Sequence, residues 1–168
     1  KVICITKYLK IIFLSLNMKI TKRSIRYFTL LKLPLVFFSG IRITNINAGG
    51  VEASVKLKWI NQNPFRSMFW AVQGMAAELT SGVLLMREIE TRKSSISMLL
   101  VETKASFSKK AKGKIRFSCD QVKDAKELID KAISSGDGQR HWFTSIGLDE
   151  NGDEVSRFQF HWSVKSKS

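Results

Sequence analysis

From Met68 to Met86 the chain is apolar almost without interruption, and the one charge in that span is Glu78. A helix that is apolar on nearly every side is a buried helix, so this stretch predicts a long central helix. The small residues Ala71, Gly74, Ala76 and Ala77 lie just before the acid and permit close approach of neighbouring strands. A carboxylate carried on such a helix is costly unless it is paired, hydrogen-bonded or protonated.

The remaining pattern arranges itself around that helix. Lys22–Lys32 places Ile25, Phe28 and Leu31 at helical spacing, with Thr21 or Ser24 in position to cap it and Pro34 to end it. Leu35–Phe38 reads as an apolar connector and Gly40 as a turn. Ile41–Ile46 and Val51–Trp59 alternate apolar and polar residues on either side of Asn47–Gly50 (NAGG), which predicts an antiparallel hairpin. In its second strand Val51, Ala53, Val55, Leu57 and Trp59 share the inner face. After the central helix, Ser94–Phe107 reads as a strand, Lys109–Gly113 as a turn and Lys114–Cys119 as the partner strand. Asp120–Ser135 is a charged helix whose apolar face is Val122, Ala125, Leu128, Ile129 and Ala132. His141–Leu148 and Val155–Val164 are strands joined by the tight turn Asp149–Gly152 (DENG). The order is helix, two strands, long helix, then four strands with one inserted helix. It predicts an α+β architecture with one antiparallel sheet and an apolar helix laid across it.

Composition changes this picture little. A chain of 168 residues with 44% hydrophobic and 25% charged residues is long enough for one domain with a sizeable core. Cys4 and Cys119 are far apart and suggest neither a disulfide scaffold nor a metal site, which points to a reducing, cytoplasmic location. The net charge of +14 attracts anions. Its lysines are spread along the chain rather than clustered with exposed aromatics, which argues against a nucleic-acid binder. Residues 1–17 are apolar with Lys1, Lys7 and Lys10 interspersed. No small-residue cleavage site follows them, and the run Ile11–Leu14 is too short to span a membrane. They read as an extension outside the fold, with Met18 as a natural start and residues 18–168 as the single domain.

Several chemistries are excluded by pattern. No Gly-x-Ser-x-Gly elbow is present. His141 and His161 sit on predicted strands without Cys, Asp or Glu at ligand spacing. Asn47–Gly50 and Ser135–Gly138 lack the Lys-Ser/Thr that completes a phosphate loop. What remains is Asn63–Glu78. Asn63-Pro64 suits a helix entry, with Asn as cap and Pro at the first position. Arg66 is placed to contact a phosphate or to pair with Glu78; Met68, Phe69, Trp70 and Met75 suit either a core or an acyl pocket.

The predicted order of elements resembles the hotdog fold, an antiparallel sheet wrapped around a long central helix. Many hotdog thioesterases carry Asn, then six residues later His-Gly-Gly, then Asp or Glu nine residues after the His. Here Asn63 is followed six positions on by Phe69, and Glu78 lies nine beyond. The words LPLVFFSGIRI, KWINQNPFRSMFWA, MAAELTSG and KASFSKKAKGKI are similar to a little-characterised, thioesterase-related branch of that superfamily. Phe69-Trp70-Ala71 replaces His-Gly-Gly, which keeps the backbone N–H groups at the helix start and adds bulk. Leu100 aligns where some relatives place a polar side chain.

The resemblance implies hydrolysis of an acyl-CoA or acyl-carrier thioester, with coenzyme A entering only as part of the substrate and no separate cofactor. Glu78 would act as general base or nucleophile and Asn63 would orient water or the carbonyl. Arg66, Phe69, Trp70 and Ala71 would bind substrate. It also implies self-association as a dimer or tetramer, in which the acid of one subunit lies near the helix start of the other. The alternative is a non-catalytic hotdog module that binds an acyl ligand or a partner.

Overall fold

The computed structural model describes residues 19–167, so the expectation for residues 1–17 lies outside the described residues. Six strands form one antiparallel sheet: β1 (Arg42–Asn47), β2 (Gly50–Lys56), β3 (Ile96–Phe107), β4 (Lys114–Cys119), β5 (Gln139–Leu148) and β6 (Glu154–Ser166). Their order across the sheet is β1-β2-β4-β5-β6-β3. The helices are α1 (Lys22–Lys32), α2 (Pro34–Phe38), α3 (Trp70–Arg92) and α4 (Val122–Ser135).

The central helix α3 lies against the sheet and is the centre of the core. Ala76, Ala77, Leu84 and Leu85 are fully buried on it. Its small residues do what their pattern predicts: a Cβ on Gly74 would touch the Phe158 ring at 3.4 Å, and one on Gly82 would lie 3.7 Å from Trp162. The helix begins two residues later than the apolar run. Met68 pairs with Gln62 in an isolated bridge and donates its N–H to Ala111 O at 2.9 Å, while Phe69 is extended as the N-cap. At the other end it continues past Met86 to Arg92 and stops at Lys93, which adopts the left-handed conformation. The charged extension is tolerated because Glu88, itself buried, sits between Arg87 at 3.0 Å and Arg92 at 3.1 Å.

The structure departs from expectation in three places. First, Lys114–Cys119 is not the partner of the strand before it. β3 pairs only with β6, and β4 lies between β2 and β5. Ile115, Phe117 and Cys119 are fully buried, and a strand with that face belongs in the middle of the sheet. The connection through Lys109–Gly113 is therefore a crossing. It is fixed by Met68 N–H on Ala111 O, by Leu57 N–H on Gly113 O at 2.7 Å, and by Lys109 between Asp149 (2.6 Å) and Asp153 (2.7 Å). Second, β2 ends at Lys56, and Trp59 belongs to a short 3₁₀ turn (Trp59–Asn61) with its side chain 85% exposed. Buried Asn61 causes the turn: its Oδ1 accepts from Lys58 N–H, and its Nδ2 donates to Ser39 O and Lys56 O. Third, Leu35–Phe38 forms a short helix with Pro34 at its first position, where the missing N–H costs nothing.

β3 occupies one edge of the sheet, with β6 as its single neighbour. It is twelve residues long, and Leu99 and Val101 on it are exposed. Among the described residues no helix is long and apolar enough to cross a membrane.

Candidate active site

Glu78 stands in the middle of a helical stripe, Met75, Glu78, Leu79, Gly82, Val83 and Met86, that forms one wall of a cavity of about 520 Å³. The spacing of three and four residues puts all six on one side of α3. Across from them are Phe28 and Lys32 of α1, Leu33, and Pro34, Leu35 and Val36 of α2. Met98 of β3 and Trp162 of β6 close the end. Trp162 is held in place by its indole N–H, which donates to Ser81 Oγ at 3.0 Å. A volume of this size is typical of small-ligand sites, and the lining is apolar apart from Lys32 and Glu78.

Glu78 is half-buried rather than enclosed, and its carboxylate makes no hydrogen bond or ion pair among the described residues. Burial raises its pKa above the ordinary carboxylate value. Of the two roles open to Arg66, the pairing with Glu78 does not form. Arg66 sits exposed in the loop before the helix with φ of 57° and lines neither this cavity nor the next. The paired, buried acid of α3 is Glu88, a residue the sequence pattern did not single out; an acid flanked at one and four residues by arginines was its only signal.

Of the other candidates, Asn63, Phe69 and Trp70 line a second cavity of about 560 Å³ at the helix start, together with residues such as Phe107 and Lys110, while Ala71 does not line it. Asn63 does not cap the helix. Its Oδ1 accepts from Phe65 N–H (3.0 Å), Ser67 N–H (3.2 Å) and Ser67 Oγ (3.2 Å), which folds the loop that leads into α3. The N-cap is Phe69, and no side chain bonds the first-turn N–H groups. Val72 N–H and Gln73 N–H both reach Phe69 O, and Phe69 N–H reaches Asn61 O at 2.9 Å. That leaves the N–H groups of Trp70 and Ala71 without a hydrogen bond among the described residues, at the positive end of the helix dipole. Phe69 and Trp70 are exposed rather than core, with their rings edge to face at 5.9 Å; Met68 is the buried one. Gln73, also missed by pattern reading, steadies this end. Its Nε2 donates to Met68 O at 3.1 Å, and its Oε1 accepts from Ser156 Oγ at 2.9 Å.

Glu78 and the candidates at the helix start thus lie along one helix and the loop that leads into it, but not in one cavity. From Trp70 to Glu78 the helix rises about 12 Å at 1.5 Å per residue. Other reactive side chains are structurally engaged. Burial pushes the Cys119 thiol up to about 11, which makes it inert. His141 Nε2 lies 3.4 Å from Asp124, and His161 stacks on Trp142 at 4.6 Å.

A sheet of this order packed around one long apolar helix is the hotdog fold. The chain belongs to the family described as Domain of unknown function (DUF4442), which matches residues 21–164. The fold is similar to that of a Pseudomonas aeruginosa protein of unknown function described as a probable thioesterase. The two are 22% identical with a TM-score of 0.77, over 90% of this chain and 99% of that one. A Chlorobaculum tepidum protein of unknown function is also similar (13% identity, TM-score 0.75, 87% of this chain and 94% of that). So is a Haemophilus influenzae thioesterase (12% identity, TM-score 0.63, 87% and 91%). No functionally curated protein matches the chain.

Proposed function

We propose that the protein hydrolyses an acyl thioester, carried by coenzyme A or an acyl-carrier protein, and that Glu78 is its catalytic acid-base residue. The observation that carries this reading is the unpaired Glu78 carboxylate on the wall of an apolar cavity. A structural acid would be paired as Glu88 is; an unpaired one with a raised pKa is held ready for proton transfer. The apolar lining suits an acyl chain. Glu78 would draw a proton from water as it attacks the thioester carbonyl carbon, and the thiolate would leave with that proton.

The developing oxyanion needs donors, and the N–H groups of Trp70 and Ala71 supply them on the other cavity. Because about 12 Å separates them from Glu78 in one chain, the reaction calls for two chains, with the helix start of one beside Glu78 of the other. The open edge of β3 supports such pairing: it is long, unpaired on its outer side, and contributes Met98 to the Glu78 cavity. At the helix start, Phe65, Trp70 and Phe107 offer stacking surfaces for an adenine ring. Lys110 offers a charge for phosphate, since Lys109 is already committed to Asp149 and Asp153. Asn63 keeps its Nδ2 to orient water or carbonyl, and Arg66 remains exposed in the same loop, free to meet a phosphate.

A binding-only module is the second reading, favoured by the bulk of Trp70 where close approach to the backbone is needed. Steady-state hydrolysis of a panel of acyl-CoA chain lengths separates the two. The thioesterase reading expects turnover that falls at least about a hundredfold in Glu78→Gln. Turnover unchanged by that substitution sinks the role of Glu78, and binding without turnover at any chain length favours the module.

A further inference from the structure

Between α1 and β1 lies a third cleft, of about 290 Å³, lined by four cationic side chains: Lys22, Arg23, Arg26 and Arg42. We infer that this cleft is a binding site for a phosphate or pyrophosphate ester, seated among Arg26, Arg42, Lys22 and Arg23. No acidic side chain lines the cleft, and the chain contains no Asp or Glu before Glu52. None of the four cations forms an ion pair among the described residues, whereas Arg87, Arg92 and Arg157 each hold an acid within 3.1 Å. Arg26 Nη1 is buried with no hydrogen-bond partner, the one such side-chain atom among the described residues. A buried donor left unmatched costs more than a hydrogen bond gains, so a site of this kind calls for an acceptor.

The physical state of Arg26 agrees. Burial, and then the nearby Arg42 charge, lower its pKa from the ordinary value, the reverse of what a paired arginine experiences. Its guanidinium is already oriented, stacked over the Phe37 ring at 3.7 Å, so little freedom is lost when it binds. Phosphate oxygens match a guanidinium fork, and two lysine or arginine charges more than Arg26 and Arg42 suit a doubly charged group. Thr29 and Leu79 complete the floor. Leu79 also lines the Glu78 cavity, so the anion cleft and the apolar cavity are neighbours across one side chain. A ligand with a phosphate head and an acyl portion fits both at once. The cleft itself does not depend on Glu78 being catalytic.

The phosphate has two sources, coenzyme A and an anionic lipid headgroup. Leu31, Leu35 and Phe38 are exposed on the same helical pair, which is why the lipid arm belongs in the test. The full chain is titrated calorimetrically with inorganic pyrophosphate and with coenzyme A. It is also floated with vesicles of phosphatidylcholine and of a phosphatidylcholine–phosphatidylglycerol mixture. Pyrophosphate is expected to bind and to raise the melting temperature, and Arg42→Gln and Arg26→Leu each to weaken it by about tenfold or more. Arg26→Lys should recover part of the charge but not the fork. Coenzyme A binding more tightly than pyrophosphate, with that gain lost in Arg42→Gln, assigns the cleft to a substrate. Flotation only on the mixed vesicles, lost in Arg42→Gln, assigns it to a headgroup. Arg42 is exposed, so its variant remains informative if Arg26→Leu fails to fold. A control, Lys165→Gln with Lys167→Gln, removes two distant charges. Equal weakening in that control, or wild-type affinity in Arg42→Gln, or no binding in any arm, overturns the site. Turnover by Glu78→Gln reports separately on the thioesterase reading.

Discussion

Gln73 on the central helix and Ser156 on the last strand meet in a buried hydrogen bond of 2.9 Å, and the same Gln73 side chain donates to Met68 O. One side chain therefore ties the start of α3 both to the sheet and to the loop in front of it. Replacement by Leu leaves the Met68 carbonyl and the Ser156 hydroxyl unmatched inside the protein. The expected loss is about 1–3 kcal/mol, read from chemical denaturation. Because the Trp70 and Ala71 N–H groups sit at this end, Gln73→Leu should also lower turnover in the surviving folded protein.

Glu78 makes a second, oppositely directed prediction. Its carboxyl holds a proton more tightly in the folded chain than in the unfolded one. The stability it contributes is full below the ordinary carboxylate pKa. It is lost as pH rises from there through the raised folded value. Above that window wild type holds a charge in an unfavourable place, so Glu78→Gln should melt higher than wild type at neutral pH. The difference should shrink as pH falls below the window. Melting curves across pH check this. A residue that lowers stability while raising activity is expected of a functional site.

The buried acid of the same helix behaves differently. Glu88 is matched to Arg87 and Arg92, and Arg92 also bonds Asp130. Glu88→Ala strips an ion-paired, buried acid from between two arginines and should cost about 3 kcal/mol. It lines neither cavity, so activity per folded molecule should stay at the wild-type level. Denaturation together with active-site-normalised turnover separates Glu88 from Glu78.

Gly50 opens β2 with φ of 135°, and a Cβ there would lie 2.3 Å from Cys119 O, a backbone atom of the neighbouring strand. Neither the conformation nor the space admits a side chain. Gly50→Ala should destabilise by at least about 2 kcal/mol, as thermal melting would register.

The fold was legible where one residue type repeats with one period. The α3 stripe, the alternation of β2 and the amphipathic α4 all follow from side chains meeting one uniform surface. Strand neighbours were not legible. β3 and β4 are consecutive and their connection contains Lys-Lys and Gly, which is also what a hairpin turn looks like. The features that make it a crossing are Lys109 held by Asp149 and Asp153 and Ala111 O held by Met68 N–H, contacts between residues far apart in the chain. Trp59 failed for a related reason: the alternation continues through it, but Asn61 draws the backbone into a turn through bonds to Ser39 and Lys56. At the candidate site, spacing singles out Glu78 but carries no sign that its carboxylate lacks a partner. Asn-Pro suits a helix cap, but the loop uses the Asn63 oxygen instead. The cationic cleft was invisible as a motif, since Arg42 joins the α1 cations only when β1 packs beside that helix.

The wall of the Glu78 cavity is made by two kinds of structure. Apart from Met98 and Trp162 of the sheet, one side is α3, which also packs on the sheet; the other is the short helical pair α1–α2. Residues such as Leu33 and Leu35 can change in size without disturbing strand register or the packing of Ala76 and Ala77. Pocket length is in this way separated from foldability. Lineages carrying this architecture can therefore drift toward longer or shorter ligands by exchanging side chains in one short elbow while the sheet and its helix stay the same.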